Sequence, residues 1–591
     1  MVAATFEYST SRRALLWLAS LNVAALIVAF DPVGDSAFDL PKSLASRSIE
    51  WATAAALIVA LLSHGRGILP RTRLHAAVVG LVVTVGLAAV FATEPYVAIF
   101  GEQDRYLGLT WLGNMLVLYA ALAVAIRGTR DVFLILGAIA ASAVVALGYA
   151  VLQLIDVDPF VWATDARIRP FSTFGNPDQF GHFISVLFGL ALGAVLAPSG
   201  AARRTIAAIA AIAVLAAAAF VATRGTLVGI AGALAGTAGV RPSRRVILAT
   251  AALAVAIGAG LLATPLGQRA VGTFAGGVLP DRITLYGIAA RATLARPLLG
   301  YGPDNFRAAF VGNRTPESLA SLTAGPETSA HDWLLDASAT TGLVGLAALL
   351  ALLTLGTLEL LGLARGRPAV GMPLLLGWAA YWTNGLVDVG SVTTAWFPWL
   401  ALGIAAGLRG TQAETVARRV PRWAIAAIGI SAVIGIVGET RPFIANREAW
   451  AAAQAAHFGD KDAAVALADH AAARDGGRAD HWNRLGLALE AQRRWADAAA
   501  AYREAASRER YEPVYWANLA NALVRTGARD DALAAAREAA AVDRNAPIGH
   551  VAVAETALAF RQCDVARVEA ARAAELEAGH DELVARARDC S

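Results

Sequence analysis

The sequence predicts an all-α protein in two parts: a polytopic bundle of membrane-spanning helices over residues 1–438, and a solenoid of helical repeats over residues 439–591. Three observations predict it. Long apolar segments fill the first part, arginines recur in every second connection between them, and a 34-residue period runs through the second part. With 57% hydrophobic against 16% charged residues, the 591-residue chain is too apolar to be wholly water-soluble.

A spanning helix needs about 20 apolar residues. Segments of this kind fall near 14–31, 48–63, 74–93, 107–126, 132–154, 179–197, 203–222, 226–240, 245–263, 333–363, 369–387, 393–408 and 423–438, giving about twelve to thirteen spans. Three of them, 48–63, 226–240 and 393–408, are short for a bilayer. The first follows Arg12 and Arg13 but runs long and lacks a small-residue cleavage site, so it is read as an uncleaved helix.

Short cytoplasmic connections are enriched in Lys and Arg. The basic sets Arg12/Arg13, Arg66/Arg71/Arg73, Arg127/Arg130, Arg203/Arg204, Arg241/Arg244/Arg245, Arg365/Arg367 and Arg409/Arg418/Arg419/Arg422 occupy every second connection. The connections between them are acidic, aromatic or mixed, and are assigned to the outer face. An odd number of spans then places the C-terminal part outside the cytoplasmic membrane, in the periplasm of a bacterial host. The net charge of +4 is modest and its arginines mark topology, so nucleic acid is excluded as a partner. Cys563 and Cys590 are the only cysteines, too few for a disulfide framework or a cysteine metal site. In an oxidising compartment the two are expected to pair.

Beyond about residue 439 the pattern becomes Ala-rich and charge-laced. Trp482 and Trp516 are 34 residues apart, and the same offsets give Leu485 and Leu519, Leu489 and Leu523, Ala498 and Ala532, and Ala505 and Ala539. This spacing resembles the tetratricopeptide repeat. Weaker copies at 446–478 and 547–579 bring the total to three or four, enough for a stacked solenoid whose concave face implies a protein partner. No candidate catalytic residue falls in this part, so removal of residues 445–591 is expected to leave the membrane part folded.

Two outer connections stand out, 155–178 and 264–332. Long patterned loops between packed helices are usually functional. The strings RIRPFSTFGNPDQFGHF (167–183), TRGTLVGI (223–230), DRITLYGIAARATLARPLLGYGPDNF (281–306) and HDWLLDASATTGLVGL (331–346) follow one another there, preceded by FGEQDRYLGL (100–109). In this order they resemble the signatures of the O-antigen ligase and O-antigen polymerase superfamily, over most of residues 90–410. The departure is Asp178, where Asn is common in the family.

That resemblance implies a metal-independent, inverting glycosyltransferase. Its donor would be a glycan on undecaprenyl diphosphate, and its acceptor a hydroxyl of a lipid or glycan outside the cytoplasmic membrane; no cofactor is implied. A polymerase branch and a protein-glycosylating branch of the superfamily remain open, as do the unrelated readings of a transporter or a scaffold with an exported repeat region. A diphosphate leaving group gathers negative charge, and guanidinium forks suit it. Arg224, Arg282 and Arg169 are therefore the phosphate candidates, with Arg167, Arg105, Asn176 and Tyr286 completing the substrate-binding set. Arginines at such depth also serve as interfacial anchors reaching for lipid headgroups. The acceptor hydroxyl must lose a proton, and His331 matches the histidine that the ligase branch is proposed to use as base. His182 is read as a packed, satisfied side chain, and Asp178 as a helix cap.

Overall fold

The computed structural model describes residues 10–103, 105–162, 164–240, 279–320, 325–388, 390–411 and 418–591. The apolar segment 245–263, expected to be a span, lies outside the described residues. Among those described, the chain is helical, its one strand-like pairing a single bridge between Arg71 and Thr411.

The first part is built from α1 (Thr10–Val28), α2 (Asp39–His64), α3 (Leu74–Val90), the short α4 (Pro95–Phe100), α5 (Leu109–Ala125), α6 (Thr129–Leu154), α7 (Pro177–Leu196), α8 (Ala201–Val221) and α9 (Arg224–Gly236). After the undescribed stretch come α10 (Leu279–Ala295), α11 (Phe306–Asn313), α12 (Trp333–Gly366), α13 (Pro368–Asn384), α14 (Phe397–Arg409) and α15 (Arg422–His457). Seven of these, α1, α2, α6, α7, α8, α12 and α15, are long and apolar enough to cross a membrane. The remaining apolar helices are shorter.

Every predicted segment among the described residues is a helix, with two changes of extent. The segment 48–63 belongs to a 26-residue helix beginning at Asp39, and 423–438 to a 36-residue helix that continues to His457. The expected boundary near residue 439 thus falls inside one continuous helix. Leucine, alanine and aromatic side chains from these helices form one core. Others face outward, as Ile206, Ile209, Ile212 and Phe220 do on α8, each more than half exposed. A contiguous apolar face of that size is unusual on a protein surrounded by water.

The helical body has two chemically distinct ends, as the charge alternation requires. At one end the basic connections touch one another: Arg12 pairs with Asp131, Arg127 donates to the Ile68 carbonyl, Arg365 donates to the Gly239 carbonyl, and Arg71 bridges Thr411. At the other end the mixed connections meet. Thr93 N–H donates to the Tyr301 carbonyl at 2.8 Å, and Arg105 donates to the Gly390 and Thr328 carbonyls.

The motif turn after α10 is seated in a break of α12. Gly342 has φ +69°, a conformation that side chains rarely adopt, and a Cβ there would stand 2.2 Å from the Leu298 carbonyl oxygen. The kink frees backbone groups to pair with the turn: Leu343 N–H donates to the Pro297 carbonyl, while Tyr301 and Gly302 N–H donate to the Ala339 and Thr340 carbonyls. The conformational demand explains why ARPLLGYG and TTGLVG occur as paired motifs.

The second part consists of antiparallel helix pairs: α16 (Lys461–Arg474) against the end of α15, then α17 (Ala479–Ala491) with α18 (Trp495–Arg508), α19 (Pro513–Thr526) with α20 (Arg529–Val542), and α21 (Pro547–Ala559) with α22 (Cys563–Leu576). A short α23 (Asp581–Arg588) closes the stack. The starts at 479, 513 and 547 reproduce the 34-residue period. The two tryptophans do equivalent work, Trp482 Nε1 donating to the Gly476 carbonyl and Trp516 Nε1 to the Arg510 carbonyl. This is a tetratricopeptide-type α-solenoid. A disulfide joins Cys563 to Cys590, fastening the chain end to α22.

The expectation that the repeats are dispensable for folding does not fit this packing, because they share a buried junction with the connections at 93–106 and 296–320. Arg314 of the long loop pairs with Asp543 at 2.9 Å, both almost fully buried. Arg307 bridges Glu102 and Glu512, Arg510 N–H donates to Glu94, and the Tyr96 hydroxyl donates to Asp475. Tyr511 and Val542 pack on the small core of α10 and α11 formed by Leu285, Ile288, Phe306 and Phe310. Without the repeats, these charges and rings would lose the partners that make their burial tolerable.

Candidate functional site

Helix starts at the end where the mixed connections meet position the candidate residues. The Thr223 side chain caps α9 by accepting from Thr226 N–H, so Arg224 is the first helical residue. Asn176 caps α7 in the same way, accepting from Asp178 N–H at 2.8 Å. The cap is therefore Asn176 rather than Asp178, which leaves the Asp178 carboxylate free to accept from Arg169 Nη2 at 2.9 Å. The extended backbone of the residue preceding Pro177 suits it to the capping position.

Arg224 and Arg282 are brought together. Each acts electrostatically on the other's surroundings, with Arg169 adding to the positive charge at Arg224 and Asp178 opposing it. Arg224 thus stands within reach of two further guanidinium groups and one carboxylate. Arg224 and Arg282 make no hydrogen bond or ion pair among the described residues, and Arg282 Nη1 is buried without a partner. The Arg169 Nε is also buried and unpartnered. Tyr286 lies beside Arg282, its hydroxyl donating to the Leu386 carbonyl at 3.4 Å, within reach of the Arg282 and Asp332 charges.

His331 occupies the turn that opens α12. Its side chain is about a quarter exposed and its Nε2 lies 3.8 Å from a Glu327 carboxylate oxygen. The next residue, Asp332, caps the helix by accepting from Leu334 and Leu335 N–H. Trp333 then fastens the helix start to the end of α13, its N–H donating to the Gly385 carbonyl and its Nε1 to the Trp382 carbonyl, both at 3.0 Å. Arg224 borders the same segment, because the adjacent Gly225 packs on the Asn384 side chain. Residues 382–386 are therefore a common support for the histidine turn, for Tyr286 and for the start of α9.

A cavity of about 280 Å³ lies beside this support. Its polar lining includes Arg105, His182, Asp304, Asp336, Asp388, Thr340 and Thr341, and most of the rest is aliphatic or aromatic, with Trp333, Trp378 and Trp382 among the rings. His182 is buried as expected but only half satisfied: its Nε2 bonds to the Tyr381 carbonyl, while Nδ1 makes no hydrogen bond and stands 3.8 Å from Asp388.

Three predicted substrate ligands take other roles. Arg105 is nearly fully buried and paired with Asp304 and Asp336, so its charge is committed within the fold. Arg167 is exposed and tied to Asp165 and Asp156. Asn176 serves as the cap described above. The sequence reading missed Asp178 and Asp336 as partners of the site arginines, since an aspartate at a helix start reads equally well as a cap. Among the described residues there is no cluster of three or more His, Cys, Asp or Glu side chains placed to hold a metal ion.

No family model matches the chain, and no curated protein matches it. Among solved structures, a thermophilic TPR protein of Thermus thermophilus matches at 18% identity over 29% of this chain and 93% of its own, with a TM-score of 0.23. A chain of the APC/C hetero-tetramer Cut9-Hcn1 matches at 12% identity over 93% of this chain and 90% of its own, also with a TM-score of 0.23. At such scores neither match carries weight, and the solenoid assignment rests on the 34-residue helix pairs themselves.

Proposed function

We propose that the chain is an O-antigen-ligase-like glycosyltransferase of the bacterial cytoplasmic membrane, with its repeats on the outer face. It would move a glycan from undecaprenyl diphosphate to an acceptor hydroxyl. The observation that carries the proposal is the grouping of Arg169 and Arg282 around Arg224 with one carboxylate between them, two of the three guanidiniums without partners, beside a histidine turn. Unpaired arginines held together repel one another, and an anion with at least two negative charges relieves that repulsion. A diphosphate has this charge and the geometry for bidentate contacts. The outward apolar faces of α8 and its neighbours support a lipid surrounding, and the clustering of arginine connections at the opposite end supports the orientation.

In this reading the acceptor oxygen attacks the anomeric carbon and its proton passes to the His331 imidazole. The bond from that carbon to the diphosphate oxygen breaks, and the leaving group takes the electron pair against Arg224 and Arg282. One displacement inverts the anomeric centre. Asp178 limits the positive charge felt by Arg169, leaving the other two arginines as the strongest anion contacts.

The test is product analysis with purified full-length protein and an undecaprenyl-diphosphate-linked oligosaccharide. A capped acceptor supports the ligase reading, a lengthened lipid-linked chain the polymerase branch, and a glycosylated polypeptide the protein-directed branch. Hydrolysis or no turnover with any acceptor class counts against transferase function.

A further inference from the structure

We infer that Asp336, acting with Ser329 and Arg105, is the positioning residue for His331. The inference rests on the reading of His331 as the proton acceptor. His331 has φ +55°, in the left-handed region where a residue with a side chain is strained unless its surroundings hold it. What holds it is a closed set of buried hydrogen bonds. His331 N–H donates to Ser329 Oγ at 2.9 Å, and the Ser329 hydroxyl donates to Asp336 Oδ2 at 2.8 Å. Asp336 Oδ1 accepts from Ala330 N–H at 2.7 Å. Arg105 Nη2 reaches the same carboxylate at 3.2 Å, and its Nη1 donates to the Thr328 carbonyl at 2.7 Å.

Within the 328–331 turn, the Thr328 carbonyl and the Ala330 N–H are therefore fixed by side chains from outside it, Arg105 and Asp336, and the His331 N–H by Ser329, whose hydroxyl Asp336 holds in turn. Ser329, Asp336 and Arg105 are 1%, 9% and 6% exposed, so water does not compete for the bonds. The His331 imidazole, by contrast, is part exposed and bound only loosely by Glu327. A rigid backbone presenting a free ring is the arrangement that a proton acceptor needs, because catalysis depends on holding the base within a fraction of an ångström of its target. Asp332 completes the device by fixing the chain on the far side of His331 through the helix cap.

The network also extends away from the site. Asp304 accepts from Glu102 N–H at 2.8 Å, lies 3.4 Å from Arg105 Nε, and Glu102 pairs with Arg307, which bridges to Glu512 of the repeats. The histidine turn is thus tied through buried polar contacts to the solenoid.

The test uses full-length protein in nanodiscs with two readouts, glycan transfer and the rate at which diethyl pyrocarbonate modifies His331, read by mass spectrometry. Asp336→Asn and Ser329→Ala are expected to lower kcat roughly tenfold to a hundredfold while donor KM stays within about twofold. Ser329→Thr, which keeps the hydroxyl, is expected to restore most of the rate. In a His331→Ala background the same changes are expected to cost no more than about twofold, since a positioning residue has nothing left to position. His331 modification is expected to speed up at least about threefold in both variants as the turn loosens. Equal losses with and without His331, or an unchanged modification rate in both variants, would overturn the inference. If instead His331→Ala transfers at the wild-type rate while the modification rate responds, the reading of His331 as proton acceptor fails and the geometric role of Asp336 stands. Should Asp336→Asn fail to fold, Ser329→Ala and Ser329→Thr carry the comparison alone.

Discussion

Arginine has two opposite lives in this protein. At the junction of loops and repeats, Arg307 and Arg314 are buried and each is matched by acidic side chains. At the starts of α9 and α10, Arg224 and Arg282 stand beside each other with no ion pair among the described residues. A matched pair holds two chain segments together and has no charge left for a ligand. An unmatched pair raises the energy of the empty protein and lowers it again when an anion arrives. The comparison separates architecture from function by charge balance, where residue type alone does not.

The largest expected effect falls on the matched side. Deleting residues 445–591 exposes Arg314, Glu102 and the aromatic face under Tyr511, so the 279–320 loop is expected to lose its hydrogen-exchange protection and transfer to stop altogether. A truncated protein with full loop protection would place the repeats outside the structural unit. Next, Arg314→Ala removes the ion-pair partner of the buried Asp543 carboxylate and is expected to destabilise the junction by about 3–5 kcal/mol. Arg224→Ala, removing an unpaired charge, is expected to change stability by less than about 0.5 kcal/mol. Thermal unfolding of the two variants side by side measures the contrast, and equal shifts would erase it.

A smaller effect is expected from Cys563→Ser. Loss of the disulfide is expected to loosen α22 and α23 by about 2–4 kcal/mol of local stability while leaving transfer near normal, because no site residue contacts this end. Limited proteolysis of the last repeat checks it.

The smallest effect is on pH. Burial pushes the Glu94 carboxyl up to about 7 and the Glu509 carboxyl up to about 8, both at the junction. A carboxyl whose pKa is raised on folding binds its proton more tightly in the folded state. Its stabilising contribution is therefore present below the unfolded value near 4.5 and is lost as pH rises through 7 to 8. Junction stability is expected to decline from pH 6 to pH 9, and Glu509→Gln to flatten the decline. A steeper decline in that variant would contradict the assignment.

Much of the helical architecture was legible because the apolar segments are long and bounded by arginine-bearing connections, which mark where helices begin and end. Segment 48–63 looked short because its first turns carry Lys42, Arg47 and Glu50, which hydropathy counts against a span. In the fold Lys42 donates to the Ala29 and Thr173 carbonyls, and Glu50 accepts from Asn22, so their burial is paired. The partners lie far off in sequence, and no local pattern announces them. Arg105 shows the same limit at the site. Its motif is visible, but Asp304 and Asp336 are about two hundred residues away, and only their approach reveals a structural charge. Arg224 and Arg282 were legible for the converse reason, since they fall outside the alternating basic connections and so call for a local cause.

The most direct measurement of the central claim is binding of undecaprenyl diphosphate to wild-type protein and to Arg224→Ala, Arg282→Ala and Arg167→Ala in nanodiscs. Kd is expected to rise at least about tenfold for the first two, and lysine to restore only part of the loss because it lacks the bidentate fork. Arg167→Ala, already matched by Asp165 and Asp156, is predicted to bind as the wild type does. Unchanged affinity in Arg224→Ala and Arg282→Ala would contradict the account, since the unmatched charges would then have no anion to meet.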